Sequence, residues 1–419
     1  MISIPTLAGM LLASGIAWGG KAQTTVWPQW RGPTRDAKVS ATPAWPRNLN
    51  GLERSWHVKL GPGYSGPIVV NDRVFVTETK DRKWEIVRAL DRKSGRELWQ
   101  SKWEGAMSVP FFAKANGDWI RATPACDGDS LFVAGMRDVL VCLDAQSGTK
   151  RWRVDFVERY GSSLPAFGFV SSPLVMGDHV FVQAGASFIK LDKKTGKTVW
   201  RTLDDGGGMY GSAFSSPYPT TIHGKSQILV QGREKLSGVD PESGDVLWSQ
   251  AVPSFRGMNI LTPTVHNNGI FTSTHRNKTF FYQIQRDGNE YSVQETWRNK
   301  AQGYMSSPVI IGDYAYLHLG NGRLACFDLR TGEQQWRSKS FGKYWSMAVQ
   351  DDVILALDER GDLILIRANP QKFELLDSKQ ISDQDTWGHI AVAAGEIFIR
   401  ELHGISKFVW SAAQKHKPE

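Results

Sequence analysis

Five times along this chain one spacing recurs: Asp, two residues, Ser or Thr, Gly, three residues, Trp. The copies are Asp91-Ser94-Gly95-Trp99, Asp144-Ser147-Gly148-Trp152, Asp192-Thr195-Gly196-Trp200, Asp240-Ser243-Gly244-Trp248 and Asp328-Thr331-Gly332-Trp336. Internal repetition constrains a fold more than local propensity does, because each repeat is one supersecondary unit that buries its apolar faces against its neighbours. An apolar residue precedes every Asp (Leu90, Leu143, Leu191, Val239, Phe327), closing a strand. The carboxylate then accepts from backbone N–H groups further on and starts a turn. The Gly adopts positive φ at no steric cost. The Trp falls on the outgoing strand, where its ring packs against a neighbouring sheet.

A second pattern leads into each hairpin: two small residues, Pro, alternating apolar residues, Gly-Asp, then an aliphatic-aromatic run. Ser171-Ser172-Pro173 through Gly177-Asp178 to Val182 and Ser306-Ser307-Pro308 through Gly312-Asp313 to Leu317 are the clearest copies. Weaker ones begin at Gly66-Pro67, Thr123-Pro124, Ser216-Pro217 and Thr262-Pro263. Pro is tolerated at the first residue of a strand, where the ladder has not begun. Each unit therefore holds four strands, and four-stranded units repeating at about 40 to 50 residues are propeller blades.

The chain reads as all-β, an eight-bladed β-propeller of four-stranded antiparallel blades near 63–103, 121–156, 168–203, 212–252, 258–300, 303–339, 344–381 and 387–410. The fifth blade lacks the Asp-Gly turn but keeps Trp297, the seventh has Asn369-Pro370 in its place, and the last has only three strands. The stretch 52–60, with Trp56 on a strand-like run, supplies the missing outer strand and closes the ring, leaving no open sheet edge. The propeller then spans 52–410, preceded by an extension over 23–51 and followed by a tail at 411–419.

Composition agrees with one large β domain. The chain has 419 residues, 41% hydrophobic and 22% charged, with 17 Trp and 41 Gly, which suits many short strands, tight turns and flat packing side chains. Its formal charge of +8 is spread without a basic stripe, so no nucleic-acid partner is expected. Cys126, Cys142 and Cys326 are odd in number and widely spaced, which reads as buried apolar thiols rather than a disulfide framework or metal knuckle. Residues 1–22 read as a secretory signal peptide: Ile4 to Trp18 is apolar and Gly20-Lys21-Ala22 is a cleavage-like run, although no basic residue comes before it. Export places the protein in the periplasm or outside the cell, with no membrane span after removal of that segment. The protein is expected to be a monomer.

Over nearly all of 27–410 the blade pattern resembles the PQQ-like, or quinoprotein-type, propeller repeat. Trp27-Pro28-Gln29-Trp30-Arg31-Gly32-Pro33 resembles the N-terminal signature of exported PQQ-like propellers of planctomycete-type bacteria. Two kinds of relative share the repeat: quinone-dependent alcohol dehydrogenases, and the non-enzymatic propeller lipoprotein of the outer-membrane barrel-assembly machine. Fold does not choose between them. Likeness to the dehydrogenases implies an aromatic floor under the quinone, Ca²⁺ held by carboxylate and amide oxygens, and a disulfide between adjacent cysteines. This chain has no adjacent cysteines, no Cys-x-x-Cys-His and no long roofing inserts. Phosphate-loop, His-Glu-x-x-His and nucleophile-elbow patterns are missing too. Gly206-Gly207-Gly208 precedes no helical pattern, the adjacent Asp204 and Asp205 read as solvated, and His275 and His318 read as structural. No catalytic residue and no metal ligand is assigned.

One constellation points to binding. In a propeller, the segments leading into the first strands and the loops joining strands two and three emerge on one face. The former carry Tyr64, Phe169, Phe214, Tyr304, Trp345 and Trp387, the latter Arg137, Arg233, Arg276 and Arg360, with Asn321. Guanidinium groups suit carboxylate or phosphate, and rings offer stacking surfaces. The competing reading is that the rings plug a tapering channel and the arginines face water. The expectation is a non-enzymatic exported scaffold that binds a protein, peptide or small ligand of the cell envelope around this funnel. The alternatives are a PQQ- and calcium-dependent oxidoreductase and a carbohydrate-binding module.

Overall fold

The computed structural model describes residues 26–40, 44–205 and 213–411. The proposed leader, the Gly206-Gly207-Gly208 run and the tail past 411 lie outside them. Eight four-stranded antiparallel sheets follow one another as blades of a ring. The first contains Ile68–Val70, Arg73–Lys80, Trp84–Asp91 and Glu97–Glu104 from the axis outward. The eighth contains Ala391–Ala393, Glu396–Glu401 and Gly404–Trp410, and its outermost strand is Leu52–Lys59, paired from Leu52 with Trp410 to Lys59 with Gly404. The N-terminal strand thus closes the ring.

The repeated motif joins one blade to the next. In five of the junctions the indole lies over the turn glycine of the following blade: Trp56 over Gly95, Trp99 over Gly148, Trp152 over Gly196, Trp200 over Gly244 and Trp297 over Gly332. A Cβ on any of these glycines would meet ring atoms at 2.4–2.9 Å, and each glycine also has φ between +68° and +82°. Glycine is therefore required twice over, for the turn and for the ring. Each indole Nε1–H donates to a carbonyl in the same turn: Arg92 (3.1 Å), Ala145 (3.3 Å), Lys193 (3.0 Å), Glu242 (3.1 Å) and Leu329 (2.8 Å). A β-bulge just before the turn recurs on the inner partner of the Trp strand, for example between Ala89 and Leu90 and between Cys142 and Leu143. Bulges re-aim side chains.

The degenerate blades use substitutes. Trp336 donates to Asn369 O at 2.8 Å, so the Asn-Pro turn still accepts the latch. The fifth blade offers no such turn, and Trp248 instead donates to Gln227 Oε1 within its own blade at 2.8 Å. A long hairpin, Thr279–Asp287 and Glu290–Asn299, covers the fourth blade there, with Tyr291 and Val293 packed on its core. At the seam, the fully buried Arg400 of the last blade donates to Gly61 O (2.7 Å) and Thr77 O (3.2 Å) on the first-blade side and to Gly404 O (2.9 Å) on its own.

Gly148→Ala introduces backbone strain and a ring clash, whereas Gly177→Ala, at φ +59° with nothing within 4 Å of its Cβ, introduces strain alone. Urea unfolding should show a loss of about 1–2 kcal/mol for Gly177→Ala and about 1–3 kcal/mol more for Gly148→Ala, the usual range for overpacking; equal losses would show that the indole does not press on the turn. The turn carboxylates also make stability pH-dependent. Ser94 and Thr195, through hydroxyl and N–H, hold Asp91 and Asp192 below the usual range, and Arg151 with Ser147 holds Asp144 at about 2. Groups depressed on folding stabilise above their unfolded value and lose that contribution as pH falls through the folded one. The urea midpoint should therefore fall from about pH 4 downward, and Asp144→Asn should make that fall shallower; an unchanged slope would remove Asp144 from the account.

Candidate functional site

The residue just before the strand-initiating Pro sets the innermost ring of the funnel. It must be small, because the chain segments converge on the axis there, and in five blades it carries a hydroxyl. These hydroxyls form a belt in which the N–H of each residue donates to the side chain of the next blade. Gly66 N bonds Thr123 Oγ1 (3.1 Å), Thr123 N bonds Ser172 Oγ (3.1 Å), Ser172 N bonds Ser216 Oγ (2.9 Å), Ser216 N bonds Thr262 Oγ1 (3.1 Å) and Thr262 N bonds Ser307 Oγ (3.0 Å). The belt thus satisfies backbone donors that have no strand partner.

Above the belt stands an arc of rings. Tyr64 stacks on Trp387 (4.7 Å between centroids, 15° between planes), Trp387 meets Tyr344 at 4.2 Å, Tyr344 meets Tyr304 at 5.8 Å and Tyr304 meets His275 at 4.4 Å. Opposite them, Phe214 meets Phe167 at 5.4 Å and Phe167 meets Phe112 at 6.2 Å. The last of these lies on the 3₁₀ helix Phe111–Asn116, in the loop between the first two blades, and that pair is open to solvent: Phe111 is 85% exposed and Phe112 55%. Belt and rings enclose a cavity of about 250 Å³.

The floor comes from the N-terminal extension. Trp27 pairs with Val69 of the first blade, Pro28 O accepts from Cys126 N of the second, and Ala37 to Val39 run beside Val349 of the seventh. Between these anchors the chain crosses the ring. Arg35 Nη1 and Nη2 donate to Pro173 O (2.7 Å) and Ser172 O (3.0 Å) of the third blade, and Arg31 Nη2 donates to Pro308 O (2.5 Å) of the sixth. Both guanidiniums are fully buried, and burial pushes them down to about 10 for Arg31 and about 9 for Arg35, so both stay protonated at neutral pH. Trp30, with each guanidinium carbon 5.4 Å from its ring, forms the floor of the cavity and meets His389 edge-on at 5.8 Å. Desolvation and the field of Arg31 push His389 down to about 3, so it is neutral.

Of the ring residues expected from sequence, Tyr64, Phe214, Tyr304, Trp345 and Trp387 line the cavity, while Phe169 lies in the core, 3% exposed. The four arginines do not line it. Arg233 is buried across Phe214 at 4.7 Å and donates to Gly257 O (2.5 Å) and Arg256 O (2.9 Å). Arg276 is exposed beside Phe255 at 4.8 Å, Arg360 pairs with Asp358 at 3.2 Å, and Arg137 and Asn321 are exposed in their turns. Among the described residues the arginine that lines the cavity is Arg121, which donates to Trp119 O and Gly117 O and which burial lowers to about 10. Sequence reading missed it, along with Tyr344, His389, Trp30 and the belt. The belt was signalled by the hydroxyl before each Pro, and the floor by two arginines four residues apart within the Trp27–Pro33 neighbourhood. His318 is buried and stacked on Trp345 at 4.8 Å, all three cysteines are free and buried, and Asp204 and Asp205 are exposed.

This donor set can stack on planar or apolar groups and donate hydrogen bonds. It does not fit a Ca²⁺–quinone pair: no carboxylate is among the cavity-lining residues, and among the described residues no three His, Cys, Asp or Glu side chains stand close enough to share a metal ion. No helix of the described residues is long and apolar enough to cross a membrane.

Comparison with known proteins finds likeness in fold to propellers of both kinds. It is 23% identical over 325 residues to the outer membrane protein assembly factor BamB of Moranella endobia, covering 75% of this chain and 69% of that protein. The crystal structure of BamB from Moraxella catarrhalis superposes with a TM-score of 0.63 at 14% identity, over 88% of this chain and 99% of that one. The quinohemoprotein alcohol dehydrogenase of Comamonas testosteroni superposes with a TM-score of 0.54 at 12% identity, over 95% and 82%. Likeness at this level shows the shared fold. Residues 83–338, more than half of the chain, match the PQQ-type family model described as outer membrane protein assembly factor BamB, and the chain belongs to that family.

Proposed function

We propose that this protein is a non-catalytic scaffold of the cell envelope that holds a partner protein or peptide on the funnel face. The observation that carries this reading is the aromatic track running from the cavity to the solvent: Phe214, Phe167, Phe112 and Phe111 in ring contact, ending in two phenylalanines that are 55% and 85% exposed. Exposed rings set on a loop beside a concave aromatic wall are the composition of a binding hot spot. Membership of a family described as an assembly factor supports a protein partner, and the apolar leader-like sequence at 4–18 supports export. The rigid ring would hold the partner through its loops while the blades stay fixed.

A photo-crosslinking amino acid placed at Phe111 or Phe112 in living cells should trap a specific partner. The same probe at Val199 or Leu375, apolar residues 49% and 37% exposed on outer strands, should not. With the probe at Lys114, exposed on the same 3₁₀ helix, replacing both phenylalanines with Asp should weaken capture by about 30-fold, the loss of about 2 kcal/mol expected of a hot spot. Capture that is equal at all four positions, or indifferent to the double replacement, would overturn the reading.

A further inference from the structure

The belt has a chemical consequence for the funnel. A hydroxyl offers two lone pairs and one proton. In Thr123, Ser172, Ser216 and Ser307 the oxygen accepts an N–H from the preceding blade, and no protein acceptor among the described residues takes the proton. All four side chains line the cavity. Four O–H donors therefore converge on the axis from four blades.

The axis is also positive. Arg31 and Arg35 stand behind the floor residue Trp30 with no ion-pair partner within 4.0 Å among the described residues, and Arg31 Nε, Arg31 Nη1 and Arg35 Nε are buried N–H groups with no acceptor. Arg35 is bonded to the backbone of belt residue Ser172, so the charge sits directly against the belt. Arg121 adds a third cation on the wall, and burial together with the field of Arg31 holds His389 neutral. No carboxylate lines the cavity. Convergent donors in a buried, electropositive, carboxylate-free site select anions and reject cations.

We propose that the floor of the funnel is an oxyanion site that takes a carboxylate, phosphate or sulfate group, either as a free ion or as the acidic end of a bound peptide. This rests on the funnel face being the binding face and specifies the group recognised at its centre. A tetrahedral or planar oxyanion can accept from several hydroxyls at once, which a halide does less well.

The test compares sulfate with chloride at constant ionic strength, reading tryptophan fluorescence and thermal midpoint. Wild-type protein should respond to sulfate saturably in the millimolar range or below, beyond any response to chloride, and Ser216→Ala should weaken sulfate by about 10-fold. A rise in midpoint that is linear in sulfate and the same in Ser216→Ala is the general salting effect, and overturns the proposal. Should the variant not fold, wild-type crystals soaked in selenate decide: an anomalous peak on the ring axis above Trp30 supports the site, and peaks confined to surface arginines sink it. Short peptides with a free C-terminal carboxylate, set against their amides as competitors of sulfate, then identify the source. Competition by the acid alone assigns a peptide end, and no competition by either assigns a free ion. If Phe111 still captures a partner while sulfate shows no saturable effect, the anion site fails and the scaffold reading stands.

Discussion

The indole laid over a glycine of the next blade is the contact on which this ring depends. A blade is a twisted sheet with apolar faces, and two such sheets can slide over one another unless something fixes their offset. The Trp does so with both of its chemistries: its face fills the space left by the missing Cβ of the turn glycine, and its N–H closes on a carbonyl of the same turn. Asp, Ser or Thr, and Gly hold that turn in the one shape that presents both features. The motif is therefore a docking surface whose two halves belong to different blades, and six of the eight junctions carry it, five as an indole on a glycine and the sixth as Trp336 on the Asn369-Pro370 turn. The closing strand follows the same rule, since Trp56 gives the last blade the half that meets Gly95.

That division explains what the sequence made legible. Turns and strands were visible because they rest on contacts between residues a few positions apart, repeated often enough to show against a variable background; ring closure, which pairs Leu52 with Trp410, was visible only because the last blade is one strand short. The belt was half-visible: the hydroxyl before each Pro is plain, but that it serves the preceding blade is a property of the closed ring. The arginines show the opposite limit. Arg360 lies two residues after Asp358, which captures it, and Arg330 stands in the same relation to Asp328. Arg233 is drawn into a turn carried by the following loop. Placing a side chain on the right face of a fold does not place it in the cavity of that face when a nearer acceptor competes.

The floor was the least legible part, since its partners lie far away in sequence: Arg35 meets Pro173 and Arg31 meets Pro308. It is also the part that most departs from a stability optimum. Arg31, Arg35 and Ala37 have φ near +60°, in a region that costs a non-glycine residue about 1–2 kcal/mol. Two buried guanidiniums with unfilled N–H groups add a desolvation cost of several kcal/mol per ion. The segment holds despite this because it is anchored at both ends. Trp27 is buried against the first blade, and a Trp side chain removes about 150–250 Å² from water, offsetting about 4–6 kcal/mol at about 25 cal/mol per Å². Trp45 and Leu49 do the same on the far side, where the chain enters the closing strand.

Strain of this kind, over-determined by its surroundings, clusters where a fold has a use for it. Plain closure of the channel needs nothing so costly: a leucine or phenylalanine at positions 31 and 35 would fill the volume without a charge to desolvate. The arginines differ from such a plug in the field they set up behind Trp30 and in the carbonyls they take from the third and sixth blades, which stand on different sides of the ring. The floor thus ties distant blades together through the axis while making that axis positive, and the same two side chains do both. A scaffold whose blades are fixed at the rim by tryptophans and at the centre by arginines presents its loops on an unyielding frame. The variable part of such a molecule is then confined to the funnel face, where the rings, the belt and the exposed phenylalanines meet.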